Sequence, residues 1–224
     1  MIIGGSVYWL GMAWLSAATL FMTLAEVATL LDHLAGHWLY MPVLLAISTG
    51  MRRGEIIALR WQDLDLARAT AQVCRSVEEV GGKFRFKAPK TERSNRVIKL
   101  PASLVEELGR HRKEQSAMRL RLGLGKDASD LVFTTPEGSM LYPNYLTESF
   151  TLEVKRAGIK RVRFRSLRHS HLSMLLQAGM PVHAVSARAG HARASTTLDT
   201  YAHLLGGEDD RAANVADDIL RRVK

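Results

Sequence analysis

Side chains suited to phosphate chemistry gather in one short stretch near the C-terminus of this chain. The stretch contains Arg165, Arg168 and His169, followed by His191 and Tyr201. Arg165 and Arg168 are three residues apart, so on a helix they share a face, where two guanidiniums repel unless an anion lies between them. Arginine binds phosphate with a planar, bidentate fork. A histidine exchanges protons near neutral pH, and an activated tyrosine can attack phosphorus.

Each of these residues taken singly has an ordinary structural explanation. A tyrosine on a helix is usually a half-buried packing residue, and a lone histidine is usually a hydrogen-bonded structural residue. Two arginines at helical spacing usually form a solvated face. The combination favours a phosphate site, and such a site requires further charged residues from elsewhere in the chain.

Those residues lie upstream, in two segments. Arg52 and Glu55 are three residues apart, so Glu55 can pair with and orient the guanidinium on a helix, although an ordinary ion pair on a helix face is the alternative. Lys90 lies with Lys87 and Arg93 in a basic loop between two predicted strands. Such a loop can enter a DNA groove and bring an ammonium group to a phosphate, whereas a solvated lysine merely attracts phosphate.

The order of these motifs resembles the catalytic domain of the tyrosine recombinase (phage integrase) family, from about Thr23 to about Leu205. The family patterns T-G-L-R-x-x-E, P-K-T, H-x-L-R-H, L-G-H and T-x-x-x-Y-x-H correspond here to Thr49–Glu55, Pro89–Thr91, Arg165–His169, Ala189–His191 and Thr197–His203. The third pattern matches except at its first position, where this chain has Arg165 and the family usually has histidine.

The resemblance implies a mostly α fold with a small antiparallel β-sheet (α+β), like the catalytic domain of tyrosine recombinases. It also implies a site-specific recombinase or integrase that cuts and rejoins DNA through a 3′-phosphotyrosine, for integration or excision of a mobile element. Double-stranded DNA and a homo-tetramer on DNA are the expected partners, with no small-molecule substrate, cofactor or metal. The implied catalytic residues are Arg52, Lys90, Arg165, Arg168, His191 and Tyr201, with Glu55 in support.

Arg165 leaves functions other than active recombination open, because an arginine stays protonated and cannot act as a base. It can still bind phosphate, so DNA affinity can survive while the rate falls. A catalytically impaired integrase remnant that only binds DNA is therefore the alternative function. A nicking–closing enzyme that rejoins the same strand is a further candidate, since it would use the same tyrosine chemistry.

The composition agrees with a protein that meets a polyanion. The chain has 224 residues, a net charge of +9 and a sequence pI near 10.0, although a merely basic protein has the same composition. The densest basic patch includes Lys160, Arg161 and Arg163, which we expect to contact DNA phosphates without reading bases. The single cysteine, Cys74, indicates a reducing compartment, and with the resemblance predicts a cytoplasmic, nucleoid-associated protein from a bacterium or phage.

Helices and a hairpin must position these residues. Thr23 and Glu26 predict a capping box at the start of a helix, and the apolar run 40–48 predicts a buried helix that ends at Gly50. Residues 71–99 predict a hairpin turning at Gly81-Gly82, followed by a third strand. Later helices are expected at 101–122, 143–157, 166–178, 181–189 and 196–205.

The sequence divides into two parts of different character. Residues 1–22 are apolar and uncharged, and we interpret them as a remnant or non-domain segment, with a membrane or partner-packing segment as the alternative. Residues 23–224 form the predicted catalytic domain, which ends in an amphipathic tail helix at 208–224. That helix packs either on a neighbouring protomer or on its own domain. We expect the DNA-clamping domain that usually precedes the catalytic domain in the family to be absent.

Overall fold

The computed structural model describes residues 21–80, 83–87, 95–124, 130–160, 162–191 and 193–201, with isolated positions at 213, 216, 217 and 221. The helices are α1 (Leu24–His33), α2 (Tyr40–Thr49), α3 (Arg53–Ile57), α4 (Ala102–Arg121), α5 (Pro143–Arg156), α6 (Phe164–Gln177), α7 (Val182–Ala189) and α8 (Ala194–Tyr201). The strands are β1 (Leu64–Asp65), β2 (Thr70–Val73), β3 (Ser76–Val80), β4 (Lys83–Lys87) and β5 (Arg96–Lys99). This mostly helical architecture with small antiparallel sheets confirms the predicted fold class.

Helix α1 begins as its sequence predicts. The Thr23 hydroxyl accepts a hydrogen bond from the Glu26 amide at 3.2 Å, and the Glu26 carboxylate accepts one from the Thr23 amide at 2.8 Å. Both donors would otherwise be unpaired at the helix start. The reciprocal pair confirms the capping box.

The centre of the core is α2, which packs against α4 and α6. Its residues are almost all apolar, and Leu45, Ala46 and Ile47 are buried. The helix ends at Gly50, whose φ of +68° lies in the left-handed region. A Cβ at Gly50 would lie 2.7 Å from the His171 ring, so both the backbone conformation and the available space require glycine here.

The strands form two antiparallel sheets, where the sequence predicted one hairpin with a third strand beside it. Strands β3 and β4 pair as the hairpin. Strand β5 pairs instead with β2, which also pairs with β1, in a separate three-stranded sheet. In β5 the side chains of Arg96 and Ile98 point inward, while Val97 is 67% exposed. A charged residue is therefore buried where alternation by hydrophobicity alone would bury a valine.

The residues just before Thr23 already pack on the domain that we expected to begin there. Met22 is buried in the core, and its amide donates to the Ser170 hydroxyl at 2.7 Å. The Phe21 ring lies 6.0 Å from the Tyr201 ring, measured between centroids. Within the described ranges, no helix is long and apolar enough to cross a membrane. Residues 1–20 and almost all of the predicted tail helix lie outside those ranges.

Candidate active site

Two candidate arginines are held where two helices end. Helices α2 and α7 both terminate at a left-handed glycine, Gly50 and Gly190, and helix ends leave carbonyls without partners inside the helix. Arg168 donates from Nη1 to the Gly50 carbonyl at 2.5 Å and from Nη2 to the Ala189 carbonyl at 2.7 Å. Arg52 donates from Nη2 to the Gly190 carbonyl at 3.1 Å. The negative ends of the helix dipoles therefore help to hold two like charges at one place.

Glu55 pairs with Arg52 and also with a second arginine. Its carboxylate accepts from Arg52 Nη1 at 2.8 Å and from the Arg52 amide at 2.8 Å. It also accepts from Arg96 Nη1 at 3.1 Å and Nη2 at 2.9 Å. Burial acts to raise the pKa of Glu55, but the hydrogen bonds and charges of Arg96 and Arg52 outweigh it and lower that pKa below its usual range. Glu55 is thus an ionised bridge between two arginines.

Arg96 connects this bridge to the end of α7. Its Nε donates to the Arg188 carbonyl at 2.8 Å. A Cβ on Gly190, whose φ is +67°, would lie 2.8 Å from Arg96 Nη1. The backbone next to His191 therefore lies directly on the Arg96 guanidinium, and only glycine fits that approach.

Further carbonyls at the end of α2 are capped by side chains from α6 and α7. His171 donates from Nδ1 to the Ile47 carbonyl at 2.9 Å, and Arg188 donates to the Ser48 carbonyl at 3.1 Å. Arg188 also donates from Nε to His171 Nε2 at 3.0 Å. Burial and the charge of Arg188 lower the pKa of His171 to about 4, so this ring is neutral and structural.

His191 directly follows Gly190 and joins the arginine cluster. Its Nδ1 lies 2.8 Å from the hydroxyl of Thr197, a buried residue on α8, and the two are hydrogen-bonded. Burial, and then the charges of Arg168, Arg52 and Arg96, lower the pKa of His191 to about 4. The ring is therefore neutral near pH 7.

Tyr201 ends α8, and its hydroxyl lies 2.7 Å from Nδ1 of His169 on α6. The tyrosine is 1% exposed, and its ring packs beside Phe21 and His169. Burial raises the pKa of Tyr201 to about 12, although the charge of Arg168 acts in the opposite direction. The phenol is therefore protonated near pH 7, and it needs a proton acceptor to become a nucleophile.

The other predicted site residues lie at the surface or outside the described ranges. Arg165 is exposed in the first turn of α6, and Lys160 and Arg163 are exposed just before that helix. Lys87 is the last residue of β4 and not part of the loop, and it donates to Glu78 across the hairpin at 2.9 Å. Lys90, Arg93 and Arg161 lie outside the described residues.

The structure therefore brings Arg52, Glu55, Arg168, His191 and Tyr201 together, and it adds residues that sequence reasoning did not select. His169 was visible as the last residue of its motif, but nothing local indicated its bond to Tyr201. Arg96, Arg188 and His171 form the supporting layer, and their partners lie on distant segments. In the described part of the chain, His, Cys, Asp and Glu form no group of three or more that could hold a metal ion.

Several known proteins are similar to this chain in sequence. The sequence model of the phage integrase family matches residues 21–207. The tyrosine recombinase XerC-like protein of Caldanaerobacter subterraneus subsp. tengcongensis is 30% identical over 206 residues, covering 87% of this chain and 53% of that protein. The ICEBs1 integrase of Bacillus subtilis is 28% identical, covering 79% of this chain and 48% of that protein. This chain spans about half the length of these curated relatives.

Solved structures share the fold. The Tn1549 transposon integrase in complex with transposon right end DNA matches with a TM-score of 0.74 at 21% identity, covering 88% of this chain and 65% of that one. XerA recombinase matches with a TM-score of 0.64 at 23% identity, covering 81% of this chain and 59% of that one. Both matches cover most of this chain.

Proposed function

This chain belongs to the phage integrase family, and we propose that it is a site-specific tyrosine recombinase that cuts and rejoins DNA through a 3′-phosphotyrosine. The reaction would serve integration or excision of a mobile element, as the names of the related integrases suggest. The observation that carries the proposal is the meeting of Arg52, Arg168, His191 and Tyr201, from distant segments, around two helix ends.

The arrangement suits a phosphate that gains charge during attack. Arg52 and Arg168 each use part of the guanidinium on main-chain carbonyls, and the remaining N–H groups are donors for phosphate oxygens. His191 donates a further hydrogen bond. Because these donors are fixed before the substrate arrives, they stabilise the phosphorane with little reorganisation. Glu55 holds Arg52 in position.

Tyr201 attacks phosphorus in line, and the bond to the 5′ oxygen breaks. Lys90 protonates that leaving oxygen, so the break needs no metal. The phosphotyrosine conserves the energy of the cut linkage, and a 5′-hydroxyl from another strand reverses the step. Tyr201 is buried beside Phe21, so its hydroxyl reaches a phosphate only if that contact opens.

Arg165 replaces the histidine that the family pattern has at this position, and we propose that it binds phosphate without accepting protons. Its exposed position at the start of α6 supports that role. Loss of an acid–base group typically slows a reaction by about 10²–10⁴-fold. Some other group must therefore accept the Tyr201 proton if the reaction is to be fast.

We propose that double-stranded DNA is the substrate, bound through the backbone by Lys87, Arg93, Lys160, Arg161 and Arg163. The exposure of Lys160 and Arg163 and the net charge of +9 support this interface. The DNA in the matching transposon integrase complex supports it as well. We further propose a homo-tetramer on DNA, with no small-molecule substrate, acting in the cytoplasm on the nucleoid.

Relaxation of a supercoiled plasmid tests the proposal without knowledge of the target sequence. The wild-type chain should relax the plasmid and leave a protein–DNA adduct on a denaturing gel, and Tyr201→Phe should abolish both. Tyr145→Phe is the matched control, because Tyr145 is an exposed tyrosine on α5. DNA binding without relaxation, restored by Arg165→His, would instead favour the impaired DNA-binding remnant. If neither the wild-type chain nor Arg165→His relaxes the plasmid, the proposal is overturned.

A further inference from the structure

We propose that His169 is a catalytic residue that accepts the phenol proton of Tyr201 through Nδ1 during DNA cleavage. The inference rests on the proposed function and names a residue that the motif comparison left without a role. It answers the question that Arg165 raises, since the proton needs an acceptor and arginine cannot be one.

The geometry of the pair fits proton transfer. Nδ1 of His169 lies 2.7 Å from the Tyr201 oxygen, within the range of a direct hydrogen bond between acid and base. The two rings are 6.0 Å apart between centroids, and Phe21 packs against both. His169 follows Arg168 in α6, so the helix that supplies a phosphate-binding arginine also supplies the acceptor.

The charges that surround His169 keep the ring neutral and therefore able to accept. Burial, then the charges of Arg168 and Arg165, lower the pKa of His169 below its usual range. Tyr201 on α8 is protonated and uncharged, and His191 on the loop between α7 and α8 is neutral near pH 7. Arg165 thus contributes by its charge, one helical turn before His169, although it cannot accept the proton itself.

The step balances without an added reactant. The Tyr201 oxygen forms a bond to phosphorus, the phosphorus bond to the 5′ oxygen breaks, and the phenol proton moves to His169 Nδ1. The leaving oxygen takes a proton from Lys90. In the rejoining step the attacking 5′-hydroxyl returns a proton to Lys90, and the imidazolium of His169 returns one to the departing phenolate.

Kinetics on a supercoiled plasmid give the first test. His169→Asn places an amide close to the position of Nδ1, so it preserves a hydrogen bond to the phenol but cannot take the proton. We expect the rate of adduct formation to fall by about 10²–10⁴-fold, while DNA affinity is unchanged. The matched control is His183→Asn, an exposed histidine on α7. If His169→Asn reacts at the wild-type rate and only His169→Ala is slow, the residue merely positions Tyr201 and the inference is overturned.

The pH profile separates a base from a structural residue. With increasing pH, the cleavage rate of the wild type should rise while His169 loses its proton and then reach a plateau. The rate of His169→Asn should not show this rise. Arg165→Gln should move the rise to higher pH, because removal of a positive charge makes the imidazolium more stable. An unchanged profile in His169→Asn would contradict the inference.

A nitrogen NMR spectrum of histidine-labelled chain tests the pair without any reaction. We expect the neutral tautomer of His169 with hydrogen on Nε2, because Nδ1 must accept from the Tyr201 hydroxyl. A hydrogen on Nδ1 would make His169 the donor and would overturn the inference even in an inactive chain. A wild-type chain that does not relax plasmid would instead count against the proposed function. Failure of the inference and failure of the proposed function are therefore distinguishable.

Discussion

The substitution Glu55→Gln should lower the free energy of unfolding far more than Arg52→Gln, although the sequence pairs Arg52 with Glu55. The Glu55 side chain is 5% exposed and its partner Arg96 is 7% exposed, whereas Arg52 is 43% exposed. Breaking a buried ion pair by neutralising one partner costs about 3–5 kcal/mol, because the other charge remains buried. Removal of the half-exposed Arg52 leaves Glu55 paired with Arg96, so no buried charge is left without a partner and the cost is only about 0–1 kcal/mol.

Glutamine keeps the volume of Glu55 and one acceptor oxygen, so we expect the lower end of that range. A loss of about 3 kcal/mol in the free energy of unfolding lowers Tm by about 6–12 °C in a domain of this size. Arg52→Gln is the matched control, and its Tm should stay close to that of the wild type. Thermal unfolding followed by circular dichroism measures both.

The effect also has a defined pH dependence. Because the folded-state pKa of Glu55 is lowered, its contribution is fully present above the unfolded pKa, which is about 4.3 for glutamate. It is lost as the pH falls through the lower, folded-state value. The gap in stability between wild type and Glu55→Gln should therefore shrink in acid. If Glu55→Gln unfolds at the same temperature as Arg52→Gln at neutral pH, Glu55 does not form a stabilising buried bridge between the two arginines.

Three further substitutions, each with a control, test the packing around Arg96 and the proposed DNA interface. Gly190→Ala strains a left-handed backbone and also places a Cβ 2.8 Å from Arg96 Nη1. Gly179→Ala strains a left-handed backbone in the same way, but its Cβ would have no atom within 4 Å. That strain costs about 1–2 kcal/mol, so urea unfolding should show a larger loss for Gly190→Ala, and equal losses would refute the contact. Lys160→Ala and Arg163→Ala should each reduce the dependence of log K on log salt by about one. Arg121→Ala on α4 should leave that slope unchanged, and a similar reduction there would indicate nonspecific attraction.

The sequence predicted the elements whose signals are local. The capping box at Thr23 and Glu26 and the apolar run that forms α2 each depend on neighbours within a few residues, and both are present. The candidate residues Arg52, Arg168, His191 and Tyr201 were identified because their motifs follow one another in the order of the family patterns that the sequence resembles. The structure brings them together.

The supporting contacts were not predictable, because each depends on a partner far along the chain. Strand β5 buries Arg96 and exposes Val97, although hydrophobicity alone favours a buried valine. Arg96 is buried because it forms an ion pair with Glu55, which lies on a different element. The hairpin and β5 were likewise assigned to one sheet, since sequence alternation identifies a strand but not the strand with which it pairs. His169 is adjacent to Arg168, yet its bond to Tyr201 exists only after α6 and α8 pack together.

The most direct test of the central claim is to locate the covalent bond between protein and DNA. The chain is mixed with supercoiled plasmid, quenched in denaturant and digested, and the peptide that carries a nucleotide is identified by mass spectrometry. We expect the phosphate on Tyr201, and none in the Tyr201→Phe protein. A nucleotide on another residue, or plasmid relaxation that persists in Tyr201→Phe, would contradict the assignment of Tyr201 as the nucleophile.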